Sequence, residues 1–277
     1  MSLLRMRRYA SLIALLPLVV APWLAGCESA SKTPTPAPVA PVPPPTQPPP
    51  PQEAPPAYRA QLHQEIAAGF YERGQMEVAL QELDQAAKLD PRNAKVYNTY
   101  GLVYAMLGQD AKAQQNFQQA IDLAPTDSEI RQNWGWFLCT HGRARDSLAE
   151  FETAVRNPLY KTPDIALTNA GRCAIEAGDA AQGEAYLKRA LAVNAANAQA
   201  AYSLSLLLYR TGRLDDARTV MKRVVQIGNP SAEALYLGMC IERKLGDRPS
   251  ETSFVSQLKN RFPESAEAKA IPPGTCE

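Results

Sequence analysis

At 277 residues the chain is long enough for one or two ordinary domains, and its formal net charge of +1 supplies no global basic or acidic field of the kind that points to nucleic acid. It holds two histidines and five cysteines, at 27, 139, 173, 240 and 276. Its 24 prolines are unevenly spread, thirteen of them crowding into residues 28–57.

Residues 1–26 read as an export signal. Arg5, Arg7 and Arg8 form a basic start, and residues 9–23 are an apolar run broken by Pro17 and Pro22. That run is too short and too interrupted for a good spanning helix, and fits the hydrophobic region of a cleaved signal. It ends in Leu24-Ala25-Gly26-Cys27, which resembles the bacterial lipobox; the resemblance implies cleavage before Cys27 and acylation of its thiol and new amino group. The alternative is an ordinary signal peptide with a chance cysteine. Several acyl chains on one residue make a stable anchor, whereas one chain is marginal. The residue after the cysteine is Glu28, not the aspartate that would favour inner-membrane retention by resemblance to enterobacterial lipoproteins, so the expectation is a lipid anchor in the outer membrane, facing the periplasm. Cleavage removes three arginines and no acid, leaving 26 basic and 28 acidic residues, a net of −2.

Residues 27–57 are the lipidated cysteine and a proline-rich tether that contains no glycine. Proline fixes φ and removes donors, so the segment is expected to be a semi-rigid polyproline II spacer without helix or sheet. At ~3.1 Å per residue it spans up to roughly 90 Å. A proline-rich ligand for a partner is the alternative.

Residues 58–265 carry a repeat. In 94–127 the residues Tyr97, Tyr100-Gly101, Tyr104, Gly108, Ala113, Phe117, Ala120 and Pro125 follow the tetratricopeptide (TPR) pattern, a 34-residue helix-turn-helix. Gly101 and Ala120 are small so that two helices approach closely, the aromatics fill the space between helices, Gly108 breaks helix A from helix B, and Pro125 stops helix B. The same pattern places repeats near 60–93, 94–127, 128–161, 164–197, 198–230 and 231–264. Its small residue recurs at 67, 101, 135, 171, 205 and 238, in steps of 34, 34, 36, 34 and 33. The third repeat has Ser147 where alanine is usual. The fourth starts late, after the insertion-like run 157–163, and has Gly183 at that position. The sixth has a displaced turn, Gly246-Asp247-Arg248-Pro249, and a more polar second helix, as a capping repeat should. The fold expected is all-α, a right-handed α-solenoid of about six TPR units, with residues 266–277 an irregular, non-helical tail.

No acid/base pair, nucleophile set or phosphate loop converges, so an enzyme is disfavoured and no cofactor is implied. Cys139-Thr140-His141 suggests zinc, but a structural site needs about four ligands and there is no paired Cys-x-x-Cys to supply them. The four cysteines outside the lipobox are an even number for an oxidising compartment. Cys139 and Cys173 fall on the first helices of adjacent repeats, which pack side by side, so a bridge between them is within reach. Cys240 and Cys276 would then pair and pin the tail to the last repeat. The other two connectivities join more distant repeats, and buried free thiols are the remaining alternative.

In a TPR superhelix, helix A lines the concave surface, and its groove positions here include Asn98, Leu102, Gln132, Trp136, Thr168, Arg172, Tyr202, Leu206 and Tyr209. Aromatic and Arg anchors of this kind are enriched in hot spots, and the groove suits an extended chain or a helix. The carboxylate clamp of chaperone-binding TPR domains is not matched, because Gln64 and Ala68 hold the positions where it requires Lys and Asn.

Three runs are more specific than the repeat itself: 133–139 (Asn-Trp-Gly-Trp-Phe-Leu-Cys), 157–160 (Asn-Pro-Leu-Tyr) and 169–173 (Asn-Ala-Gly-Arg-Cys). Together they resemble the type IV pilus biogenesis/stability lipoproteins, the PilF/PilW group, over residues 60 to about 263. The resemblance implies a pilotin, an outer-membrane lipoprotein needed for the pilus secretin to localise or assemble and for pili to be stable. A disulfide between the two motif cysteines fits the family pattern, whereas the proline-rich spacer and the Cys276 tail are unusual for it. The reading from another class is a periplasmic TPR adaptor lipoprotein that recruits peptidoglycan enzymes or proteases.

Overall fold

The computed structural model describes residues 54–271 and Cys276; the signal segment 1–26, the lipobox Cys27 and the tether as far as residue 53 lie outside the described residues. Thirteen helices and no strands occur among those described. Six helix pairs follow one another: α1 (Pro56–Glu72) with α2 (Met76–Leu89), α3 (Ala94–Met106) with α4 (Asp110–Leu123), and α5 (Ser128–Thr140) with α6 (Ala144–Val155). They continue as α7 (Pro163–Glu176) with α8 (Ala180–Val193), α9 (Ala198–Arg210) with α10 (Leu214–Ile227), and α11 (Ala232–Leu245) with α12 (Arg248–Arg261), followed by the one-turn α13 (Ala266–Lys269). The chain is an α-solenoid.

Local chemistry sets the boundaries. Asn93, Asp127, Asn197 and Ser231 each accept a hydrogen bond from a first-turn backbone N–H, capping α3, α5, α9 and α11. Between α3 and α4 the chain turns through Gly108 at φ +68°, a conformation other residues adopt at a cost. Proline ends the tether where it also begins the domain: Pro56 sits in the first turn of α1, where its missing N–H would be unpaired in any case. Pro56 and Ala57 are therefore helical, which corrects the expectation of a non-helical spacer up to residue 57.

Within each repeat the small residue marks the helix crossing. A Cβ added to Gly101 would meet the Phe117 ring at 2.8 Å, so the ring lies directly on the backbone of α3. Along the stack, the backbones of successive odd-numbered helices approach one another, whereas the even-numbered helices stand further apart and are reached by long side chains, as where Arg189 of α8 donates to Glu152 of α6 at 2.6 Å. The odd helices are therefore the tightly spaced inner row, and their free faces form the groove.

The tail departs from expectation at its start. Residues 266–269 form the helical turn α13, because the Ser265 side chain accepts from the Ala268 N–H and Ala-Glu-Ala-Lys favours helix. Ala268 and Ile271 pack with Leu235 and Leu258 of the last repeat.

Candidate functional site: the inner groove of repeats three to five

Two helices position the centre of the groove. Cys139 on α5 and Cys173 on α7 are joined in a disulfide, with their Cα atoms 5.8 Å apart. Trp136 lies one turn before Cys139 on the same face, and Arg172 immediately precedes Cys173. The bond therefore fixes the spacing of these two side chains, and the Arg172 guanidinium stands 5.1 Å from the centroid of the Trp136 ring. Cation–π contact at this distance orients both groups.

A cavity of about 350 Å³ opens beside them, lined among others by Trp136, Arg172, Ile175, Tyr202, Leu206 and Arg210. Trp136 is half-buried, as are Tyr202 and Leu206, while Arg172 and Arg210 are exposed. Neither guanidinium forms an ion pair among the described residues. Glu176, on the same wall, keeps the lining from being uniformly basic. Burial pushes the Tyr202 phenol up from its ordinary pKa, and the Glu233 carboxylate adds to this, so Tyr202 stays neutral and can donate from its hydroxyl. An apolar floor with two guanidiniums at its rim can hold an extended protein segment that brings an apolar side chain and hydrogen-bond acceptors.

The structure brings together four of the nine expected groove residues, Trp136, Arg172, Tyr202 and Leu206. Gln132 lines a different cavity of about 490 Å³ against the 157–162 loop. Leu102 is half-buried against the cluster around Phe117 and Trp134. Two expectations are corrected. Asn98 is 3% exposed and accepts from the Asn133 side-chain amide at 3.2 Å. Thr168 is 3% exposed, donating to the Asp164 carbonyl and accepting from the Asn197 amide. Tyr209 is 8% exposed and donates to the Cys276 carbonyl at 2.6 Å, and with Tyr202 and Leu206 it lines a second cavity of about 390 Å³. Asn98 and Thr168 are occupied inside the protein because the neighbouring repeat presents a matching group.

Cys139 and His141 are likewise committed. Cys139 is in the disulfide, and His141 Nδ1 contacts the Phe137 carbonyl at 2.7 Å while Nε2 lies 3.2 Å from Asp110. The second bridge joins Cys240 to Cys276. Exposed apolar residues outside the expected groove include Leu159, 84% exposed in the insertion, and the stripe Tyr58, Leu62 and Ile66 along α1. The stripe is legible in the i, i+4, i+8 spacing of those residues.

Comparison with known proteins places this groove in context. Residues 94–127 and 168–232 match the tetratricopeptide repeat, and residues 69–108 match the TPR repeat. The chain is similar to type IV pilus assembly protein PilF of Pseudomonas aeruginosa (strain PAO1), with 24% identity over 203 residues that cover 73% of this chain and 81% of that protein. The crystal structure of PilW, a widely conserved type IV pilus biogenesis factor, matches with a TM-score of 0.70 at 31% identity, covering 77% of this chain and 98% of that one. A structure of Pseudomonas aeruginosa PilF has the same fold, with a TM-score of 0.69 at 23% identity over 77% of this chain and 96% of that one.

Proposed function

The chain belongs to the TPR-containing type IV pilus biogenesis factors, and on that premise we propose that it is a lipid-anchored outer-membrane scaffold that grips a segment of the pilus secretin in its inner groove and supports secretin assembly and localisation. The observation that carries the reading is the cavity where Trp136, Arg172, Tyr202 and Leu206 meet beside the Cys139–Cys173 bond. The lipobox ending at Cys27 supports attachment through acyl chains, with the domain facing the periplasm. In this role the protein contributes no bond-making step: it holds an assembly-competent segment in place, by burying an apolar side chain against Trp136 and Leu206 and donating from Arg172 and Arg210.

The test is a deletion strain complemented with the wild type or with the double variant Trp136→Ala/Arg172→Ala. Surface pili and secretin multimers are expected to be lost in the deletion strain and restored by the wild type alone, while the purified double variant melts within about 3 °C of wild type. Normal secretin multimers in the deletion strain would overturn the proposal. Recovery of peptidoglycan hydrolases without secretin, on capture from solubilised membranes, would favour the adaptor role instead. A collapse of the melting temperature with Trp136→Ala alone would assign Trp136 to the core.

A further inference from the structure

The inner groove continues beyond Trp136. Gln199 and Tyr202 on α9 line the cavity beside Trp136 and also a cavity of about 460 Å³ walled by Gly228, Pro230 and Glu233, so the two are successive stretches of one groove. The sign of the charge changes between them. Arg172, Glu176 and Arg210 are the charged side chains lining the first stretch, which leaves one positive charge in excess. Among the residues lining the second, only Glu233 is charged. Hydrogen bonds from the Ser231 hydroxyl and from its own backbone N–H hold the Glu233 carboxyl below its ordinary pKa, so it is anionic. Tyr202 stands at the boundary. Burial is the largest influence on its phenol; after it come the Glu233 carboxylate, which raises the pKa, and the Arg210 guanidinium, which lowers it. Its hydroxyl is therefore within reach of opposite charges. All four charged side chains are exposed, and none of them forms an ion pair among the described residues.

Resting on the groove reading above, we infer that the occupant is an extended protein segment of bipolar charge: one acidic side chain held by Arg172 and Arg210, an apolar side chain on Trp136 and Leu206, and one basic side chain across Tyr202 against Glu233. Charge complementarity along the wall names these partners. A carboxylate accepts charge-assisted hydrogen bonds from guanidiniums, which are the strong ones. Glu176, one turn after Arg172 on α7, repels a second carboxylate, so the first stretch takes a single acid and not an acidic run. The Tyr202 hydroxyl, kept neutral, donates to a main-chain carbonyl of the segment as it passes from one stretch to the next. The order of the charges fixes the direction in which the chain lies. A segment laid the other way would set its carboxylate against Glu233 and its cation against the two guanidiniums, and like charges brought together discriminate against it.

The test selects phage-displayed random dodecapeptides on the full chain and needs no secretin. The wild type is expected to enrich sequences that carry an apolar residue, one acidic and one basic residue, with the two charges always in the same order. Arg210→Glu makes the excess charge of the first stretch negative, so it is expected to turn the acidic position basic and to leave the other charge alone. Glu233→Lys is expected to turn the basic position acidic. Both residues are exposed, so neither variant should lose stability. In a synthetic copy of the most enriched sequence, replacing the acid by its amide is expected to weaken binding to the wild type about tenfold. Neutralising the basic residue should weaken it about threefold, as for a more exposed pair. Enrichment of apolar residues alone, of acidic runs, of charges in either order, or of no sequence at all would overturn the inference. The two readings fail separately. Normal secretin multimers in the deletion strain together with an ordered, bipolar sequence would remove the secretin and keep the charge pattern; lost multimers together with an uncharged sequence would do the reverse.

Discussion

Repeat two, α3 with α4, and repeat four, α7 with α8, share one helix-turn-helix plan but join their helices differently. In repeat two a side chain fills the crossing: Phe117 lies on Gly101, and Tyr100 stacks on Tyr104 with ring centroids 5.9 Å apart. The Tyr100 hydroxyl donates to Asp84, and burial followed by that carboxylate pushes the phenol well above its usual range. On its inner helix Asn98 is bonded to Asn133, while Met106 at the end of α3 stays 62% exposed. In repeat four Leu187 lies on Gly171 in the same way, but there the backbones also approach: a Cβ added at Gly183 would lie 2.9 Å from the Gly171 carbonyl oxygen. The disulfide to α5 supplies cohesion there, and Arg172, Ile175 and Glu176 are released to line the groove. A solenoid can therefore separate frame from reading surface by choosing what fills each crossing.

The largest expected effect breaks the frame. Phe117 is fully buried against Gly101, Trp134 and Phe137, so Phe117→Ala should cost about 3–5 kcal/mol in a urea melt. A loss below about 1 kcal/mol would mean that the crossing collapses and repeat two is not a rigid reference. Next comes the covalent link. Replacing both Cys139 and Cys173 with alanine opens a loop of sequence separation 34, worth roughly 3–4 kcal/mol on the chain-entropy model. It should also alter the emission of half-buried Trp136, because the bond is the covalent tie between α5 and α7 beside that ring. A double variant with wild-type stability and wild-type Trp136 emission would show that packing alone sets the spacing.

How much of this is readable from the chain follows from the same contrast. The crossings are legible because a period of about 34 demands a small residue at one place, and the equivalent positions Ala67, Gly101 and Gly171 supply it. Which groove residues stay free is not legible. Helical position says where a side chain points, while the partner that occupies it comes from the next repeat or from the tail. Hence Thr168 is taken by Asn197, and Tyr209 by the Cys276 carbonyl. The turn at 266–269 is obscured by the prolines that follow it, although Ser265 two residues before Glu267 is a cap signal. The exposed stripe on α1 is legible only as an i, i+4, i+8 spacing, because the repeat pattern marks core positions while Tyr58, Leu62 and Ile66 are 55%, 37% and 38% exposed.

The smallest effect sharpens the comparison most. The other repeats carry Ala79, Ala113, Ser147 and Ala217 where repeat four has Gly183, so a methyl is ordinarily accommodated at this crossing. Alanine would also gain up to about 1 kcal/mol of helix propensity over glycine. At Gly183, however, the new Cβ would lie 2.5 Å from Ile175 Cγ1 and 2.9 Å from the Gly171 carbonyl oxygen. The isoleucine can rotate or shift, but the carbonyl belongs to α7, which the disulfide holds. Gly183→Ala should therefore be net destabilising, by about 1–3 kcal/mol, and should displace Ile175 from the groove wall. Adding Ile175→Ala distinguishes the two contacts. If the side chain is the obstacle, the double variant regains the loss beyond the ordinary cost of trimming isoleucine. If the backbone contact is the obstacle, the two losses add, and repeat four owes its open inner face to the approach of two glycines.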